Sequence, residues 1–449
     1  MKFGGASIES TERLEKVCQI IERNKLKKIV LVFSALGKST RKISSIYNHL
    51  IEREIKSATK FSNELFSYHH NFVSMVATSK ERNNLIIEIS NLEEQFVNIC
   101  RKIIRTPDDL ALKDHLLSFG EMLSTKIIWA LLKSRGYPVC WMDATKIIKT
   151  DNCFGSANLL LKETKANCVK NIISKVGEGE IPLTQGFIGS TIDNRITTLG
   201  FEGSDYSATL LANLVDASEV WLWKPTDGLM SADPKVVERT SKVKLISYDE
   251  ASTLANLGAC CIHHKAIKPV QEKGIVLKIM SIDSMTLGSE ISQRGDSTNP
   301  VKSICSKTNM VLGKVEKELC NDKILKRFES LAIALKKEKH QVVFIFTSDE
   351  FERVRSTSGI EIFNSVVACS IISIVGDNLE ALVFDQWVNN LILSKWTLSS
   401  ILLPRKNCFI FAVEIIQTSE FLTQLHKHFF ASISYDPQID KESRGDYLE

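Results

Sequence analysis

The sequence has no excess of either charge. Its 57 basic and 53 acidic residues leave a formal net charge of +4 over 449 residues, so no concentrated basic face and no nucleic-acid partner are expected. It also lacks a long apolar run. The longest, Val366 to Val375, is too short to cross a bilayer and reads as a buried strand, which leaves no reason to expect a membrane partner. A disulfide framework is missing as well: eleven cysteines are scattered with no CxxC pair, the pattern of free thiols in a reducing compartment. No secretory signal precedes Lys2, and the expected compartment is the cytoplasm. Finally, there is no P-loop. "GKST" at Gly37–Thr40 imitates the end of one, but Val32 stands where a Walker motif needs its first glycine.

What is present is an α/β pattern long enough for two or three domains and a large core. Short β-rich runs, "KKIVLVFSA", "YPVCWMDA", "IPLTQGFIG", "EVWLWKP" and "GIVLKIMS", alternate with helical stretches and predict a largely parallel sheet over residues 1–290. Residues 40 to 115 carry apolar residues at helical spacing; packing helices are the simpler expectation, an inserted lid the alternative. A polar stretch, Ser292 to Pro300, reads as a linker. Beyond it, residues 301–449 predict a second, α+β region. Its strands fall at "NMVLGKV", "QVVFIFTS", "CSIISIVGD", "SSILLP" and "CFIFAVE", its helices at Lys323–Lys339 and Ser419–His428, in the order of two small βαββ-type units. The stretch from Tyr435 to Glu449 has little to bury and is expected to fray.

The opening "MKFGGASIE" predicts a strand, a Gly4-Gly5 turn and a helix start capped by Ser7 or Ser10. Such a turn brings backbone N–H groups and the positive end of a helix dipole to an anion, and Lys2 beside it would neutralise charge on a phosphoryl group. A plain turn would have the same sequence. "VFSALGKST" leaves Ser34 and Ser39 in a loop after the second strand. "LLSFGEMLST" places Glu121 after Gly120 at the start of an apolar helix, as a dipole-favoured surface acid or a binding group. In "TTLGFEGSDYSATLLA", Gly200 and Gly203 bracket a turn, Ser204 serves as a helix cap and Asp205 sits in the first turn, making a second anion-binding helix start. "VWLWKPTDGLMSADPK" offers a loop in which Trp223, Leu229 and Met230 would hold a base and Lys224 and Lys235 face phosphates; solvated turn lysines are the alternative. Cys260, Cys261, His263 and His264 cluster in "GACCIHHK", but adjacent residues point apart on a helix, and no zinc or other protein-held metal is expected.

Together these segments resemble the aspartate kinases of the amino acid kinase superfamily. "KFGGAS" is similar to that family's KFGGTS, "SFGEMLST" to S-x-GE-x-x-S, "TQGFIGST" to TQGFIG and "TTLGFEGSDYSA" to TTLGRGGSDYSA; three further segments match in the same order up to residue 269. The resemblance implies a three-layer αβα amino acid kinase (carbamate kinase-like) domain over residues 1–290, with two ACT-like regulatory or dimerisation units over 301–449. It implies transfer of the γ-phosphoryl group of ATP, carried with Mg2+, to the β-carboxylate of L-aspartate, at the head of lysine, threonine and methionine synthesis. A homodimer and an end-product amino acid effector go with it. By the same resemblance Lys2 and Asp205 are catalytic, with Lys2, Gly4, Gly5, Lys224, Gly228, Met230 and Lys235 on the nucleotide and Ser34, Ser39, Glu121, Gly203 and Ser204 on the amino acid. The pattern departs at Ala6, Phe201, Glu202, Pro225, Cys260 and His264. Phe201 takes the place of an arginine suited to a bidentate grip on the α-carboxylate, which motivates the alternative of a catalytically impaired amino-acid-binding subunit. A kinase for glutamate is a third reading, disfavoured by the Ser-Phe-Gly-Glu and Gly-Ser-Asp-Tyr segments.

Overall fold

The computed structural model describes residues 1–200, 203–258, 262–358, 362–380, 388, 390, 397–403 and 407–430. Phe201, Glu202, Cys260, Cys261 and the 435–449 stretch lie outside the described residues. The chain forms two compact units. The first comprises Met1–Gly228 with Ile262–Ser292, the second Leu229–Cys261 with the chain from Gln293 onward. Residues 229–261, expected with the N-terminal domain, cluster with the second unit.

The first unit is built on strands β1 (Lys2–Phe3), β2 (Leu31–Phe33), β3 (Val139–Met142), β4 (Ile181–Gln185), β7 (Glu219–Lys224), β8 (Val276–Ser281) and β9 (Leu287–Ser292). A two-stranded ribbon, β5 (Ile188–Ser190) with β6 (Ile196–Thr198), stands apart. The seven strands run in the order β9-β8-β7-β1-β2-β4-β3, parallel except for β9. Alternation along β1 sends Phe3 to one face and Lys2 to the other. Phe3 is registered with Phe33 on one side and Trp223 on the other, and the three rings stack at 5.1 and 5.8 Å. That stack roots a core completed by helices α1 (Thr11–Arg23), α2 (Ser39–Ile51), α3 (Ile55–His70), α4 (Ser79–Arg105) and α5 (Leu110–Ser134). The 40–115 stretch is therefore packing helices, as expected, burying Ile43, Ile46, Leu65, Phe66, Ile89, Phe96 and Ile103. Between the two candidate caps of α1, Ser10 performs the task by accepting the Arg13 N–H, while the Ser7 hydroxyl donates to the Trp223 carbonyl.

In the second unit, six antiparallel strands run in the order β11-β12-β10-β13-β15-β14. They are β10 (Val301–Glu316), β11 (Ala334–Lys337), β12 (Gln341–Thr347), β13 (Ser365–Gly376), β14 (Thr397–Leu403) and β15 (Cys408–Val413). The two expected small units share one sheet because β10 and β13 are long enough to serve both. Each keeps its own core, Phe328, Phe344, Phe346 and Phe351 in one and Phe409, Phe411, Phe421 and Leu425 in the other. The helix expected over 323–339 stops at Leu331, because Ala334–Lys337 pairs with β12 (Ala334 opposite Ile345): sheet pairing overrides local helix propensity. The final helix, Thr418–Phe430, extends slightly beyond its expected ends.

Candidate active site

The carboxyl ends of the central parallel strands carry the candidate residues, where open α/β sheets usually hold ligands. Lys2, on the face of β1 opposite Phe3, is 4% exposed. Its Nζ lies 2.6 Å from Asp205 Oδ1. Lys224, at the end of β7, donates from Nζ to Asp205 Oδ2 at 2.7 Å. Asp205 sits in the first turn of α6 (Gly203–Leu214) and is almost completely buried. Burial pushes its pKa up, but the two ammonium groups outweigh that and hold the carboxyl well below the usual range. Lys2 at one end of the chain and Asp205 and Lys224 some 200 positions on thus form one charge cluster, two ammonium groups on one carboxylate.

The turn after β1 has little freedom. A Cβ on Gly5 would lie 2.6 Å from the Ala35 carbonyl and 2.7 Å from that of Gly37, so only glycine lets the two loops meet. Gly186 is equally constrained, since a Cβ there would strike Ser204 at 2.6 Å. The structure thereby brings Gly4, Gly5, Ser34, Gly203 and Ser204 to the same strand ends. Gly203 opens α6, so Ser204 lies inside the helix and is not its cap. Ser39 likewise opens α2, with its hydroxyl donating to the Leu36 carbonyl, and is buried where a loop position was expected.

Glu121 departs furthest from expectation. It is neither at a helix start nor on the surface: α5 begins at Leu110, capped by Asp109, and Glu121 lies in the middle, 2% exposed. Oε1 accepts the Ala35 N–H at 3.3 Å, Ser124 one turn on donates to the Ser34 carbonyl, and Oε2 has no protein partner. Burial drives its pKa up to about 8, with the Ala35 and Glu121 N–H groups and Lys2 pulling weakly the other way. A lone buried carboxyl with an open oxygen is suited to receive a cationic group.

Of the remaining nucleotide candidates, Gly228 stays in the first unit at φ +120°, where a Cβ would meet Ser289 at 2.6 Å. Met230 and Lys235 belong to the second unit. There the short hairpin of Leu229–Met230 and Lys242–Val243 is tied down by Ser303 donating to the Met230 carbonyl and by a Ser231 to His426 hydrogen bond of 2.8 Å. Lys235 is exposed on the turn that Asp233 closes by accepting its N–H. The rings of His263 and His264 sit 4.4 Å apart. Among the described residues, the one group placed to hold a metal is His49, Glu52 and Glu54, away from the strand ends and largely solvated.

Two residues beside the site were not singled out from sequence. Phe187 adopts a left-handed φ of +68°, unusual for an aromatic, with its N–H donating to Ser207. Asp114, buried on α5, accepts from the Gly155 and Thr198 N–H groups and the Thr198 hydroxyl. The β-rich run "IPLTQGFIG" contains Phe187, but nothing in its type signals positive φ, and Asp114 falls at the end of the 40–115 helical stretch, outside the motifs.

The strand ends of this parallel sheet gather two lysines on a helix-borne aspartate beside tightly apposed glycine turns, an arrangement suited to holding an anion. The chain belongs to the amino acid kinase family, whose model matches residues 1–281. It is 29% identical over 319 residues to Aspartokinase 1, chloroplastic, of Arabidopsis thaliana, covering 70% of this chain and 55% of that protein. It is 28% identical over 274 residues to Lysine-sensitive aspartokinase 3 of Escherichia coli, covering 61% of this chain and 59% of that protein. The chain thus spans somewhat over half the length of these relatives. The crystal structure of E. coli aspartokinase III in complex with aspartate and ADP shares the fold, with a TM-score of 0.83 at 21% identity, covering 96% of this chain and 99% of that one. The same enzyme in complex with lysine and aspartate gives a TM-score of 0.75. No helix among the described residues is long and apolar enough to cross a membrane.

Proposed function

We propose that the protein is an aspartate kinase, transferring the γ-phosphoryl group of ATP to the β-carboxylate of L-aspartate to give 4-phospho-L-aspartate. The observation that carries this reading is the buried Lys2–Asp205–Lys224 cluster. A carboxylate nucleophile is already ionised at neutral pH and needs no general base, so the work left to the protein is positioning and charge neutralisation. Asp205 holds both ammonium groups at the strand ends. Lys2 would meet charge on the transferred phosphoryl group, with the Gly5 N–H beside it, the Gly4 N–H being taken by the Trp223 carbonyl. Glu121 would take the substrate ammonium, and Ser39 and Ser204 would line the amino acid.

Both oxygens of Asp205 are engaged by lysines, so Mg2+ would be carried by the nucleotide phosphates and water, where it offsets phosphate charge. Gly228, which stays in the first unit, is assigned to the nucleotide. The six-stranded sheet of the second unit is the ACT-like region, taking an amino acid effector and pairing subunits of a homodimer, and the protein works in the cytoplasm. The relatedness to aspartokinases and the fold shared with an aspartate and ADP complex support these assignments.

The test is to incubate purified protein with Mg-ATP, aspartate and hydroxylamine and assay the hydroxamate. Product from aspartate is the expected result. Product from glutamate alone would replace the substrate. Aspartate binding by calorimetry without any product would identify the impaired, amino-acid-binding subunit.

A further inference from the structure

A cavity of about 490 Å³ opens in the first unit beside the candidate site. Its walls include Thr40 and Arg41 of α2, Lys113 and Asp114 of α5, and Phe187 and Thr198. It adjoins the site through short links. Thr40 follows Ser39, Asp114 and Leu117 lie on the helix that carries Glu121, and Phe187 packs where a side chain on Gly203 would stand, 3.3 Å from its Cβ. The charge of this cavity is uneven. Asp114 is the one acid on its wall, and its oxygens are consumed by the Gly155 and Thr198 N–H groups and the Thr198 hydroxyl. Arg41 has no acidic partner among the described residues. Lys113 rests its Nζ 4.9 Å above the Tyr47 ring, which positions it without cancelling its charge. A pocket with hydroxyls, aromatic rings and two cations against one acid, Asp114, which interacts with Lys113 but not with Arg41, is complementary to an anion carried on a small organic body.

We infer that Arg41, assisted by Lys113, binds the carboxylate of the amino acid substrate that does not react. This rests on the aspartate kinase reading, and it supplies a carboxylate contact in a chain that has Phe201 in place of the family's arginine. With the substrate ammonium at Glu121 and the reacting carboxylate toward Lys2, the remaining carboxylate points into the cavity, where the planar guanidinium can pair with both its oxygens. Arg41 and Lys113 are specificity determinants here and take no part in the transfer.

The experiment compares wild-type protein with Arg41→Ala, Arg41→Lys and Lys113→Ala. The readouts are the KM for aspartate in the hydroxamate assay and the inhibition constant of β-alanine, which keeps the ammonium and the reacting carboxylate but lacks the other. Arg41→Ala should raise the aspartate KM by about tenfold or more with most of the loss in KM. Arg41→Lys should recover part of it, Lys113→Ala should show a smaller rise, and β-alanine should bind all four proteins alike. An unchanged aspartate KM in Arg41→Ala, or an equal loss of aspartate and β-alanine, would overturn the inference. Calorimetry with aspartate alone separates the two levels. Binding that depends on Arg41 in a wild-type protein forming no product would sink the kinase reading and keep the pocket.

Discussion

The two sheets bury different things. The antiparallel sheet of the second unit is filled with phenylalanine and aliphatic side chains, and the buried polar groups on β10 and β13 include the hydroxyls of Ser303, Ser370 and Ser373. The parallel sheet has an equally apolar face, the Phe33–Phe3–Trp223 stack, but its other face and strand ends bury Lys2 and Asp205 beside Lys224, with Glu121 and Asp114 nearby. Burying charge costs free energy that apolar packing does not. The antiparallel sheet also buries a cation, Lys302 on β10, but its ammonium is spent on the Asp296 and Asn299 carbonyls; in the parallel sheet a carboxylate is buried against lysines at the strand ends, and that is where chemistry is to be sought. Within that unit the contrast recurs between two carboxyls. Two ammonium groups hold the pKa of Asp205 down, whereas burial, only weakly opposed by the Ala35 and Glu121 N–H groups and Lys2, pushes that of Glu121 up to about 8.

That contrast can be broken experimentally. Asp205→Asn removes the anion from between two lysines and leaves a buried positive pair. It should cost about 3–5 kcal/mol of stability and reduce turnover by about a hundredfold or more, read by denaturant melts and the hydroxamate assay. The wild-type contribution of Asp205 is present above the carboxyl's unfolded pKa and is lost as pH falls through its lower folded value, so the Asn variant should flatten the acid limb of the stability curve. Phe344→Ala in the other sheet should cost a similar 3–5 kcal/mol by leaving a cavity, yet leave the pH dependence of stability as it was. If the two variants gave the same pH profile, the distinction between the sheets would fall.

Glu121→Gln sharpens the second contrast. With a folded pKa of about 8 against 4.5 unfolded, the native state keeps a proton that the unfolded chain releases, so wild-type stability should decline as pH rises between those values. The glutamine variant should lose that slope and gain stability at pH 8 by a few kcal/mol, while binding aspartate more weakly. The smallest effect belongs to a surface pair, Arg135 with Glu15. Both side chains are partly solvated and screened, and Arg135→Ala should change stability by about 0–1 kcal/mol.

Much of this was legible in the sequence. Alternating β-rich and helical stretches placed β1 to β4, β7 and β8, since buried parallel strands are short apolar runs bounded by turn residues, but not the antiparallel β9 (Leu287–Ser292). Lys2, Gly5, Gly203 and Asp205 were legible because glycine turns and helix starts leave local signatures. Glu121 was misplaced because its helix runs on from Leu110 without a break, and a helix interior carries no local mark of the loop it will meet. The grouping of 229–261 with the C-terminal unit could not be read either, resting on contacts such as Ser231 to His426 across 195 positions. The pairing of Ala334–Lys337 was missed because strand partners, unlike helix periodicity, lie far along the chain.

The most direct measurement is the turnover of Lys2→Ala beside wild type in the hydroxylamine-trapping assay, with a melting curve on each preparation. If the ammonium on β1 neutralises charge during phosphoryl transfer, the variant stays folded and its kcat falls by about a hundredfold or more. A folded variant with wild-type kcat would contradict that role.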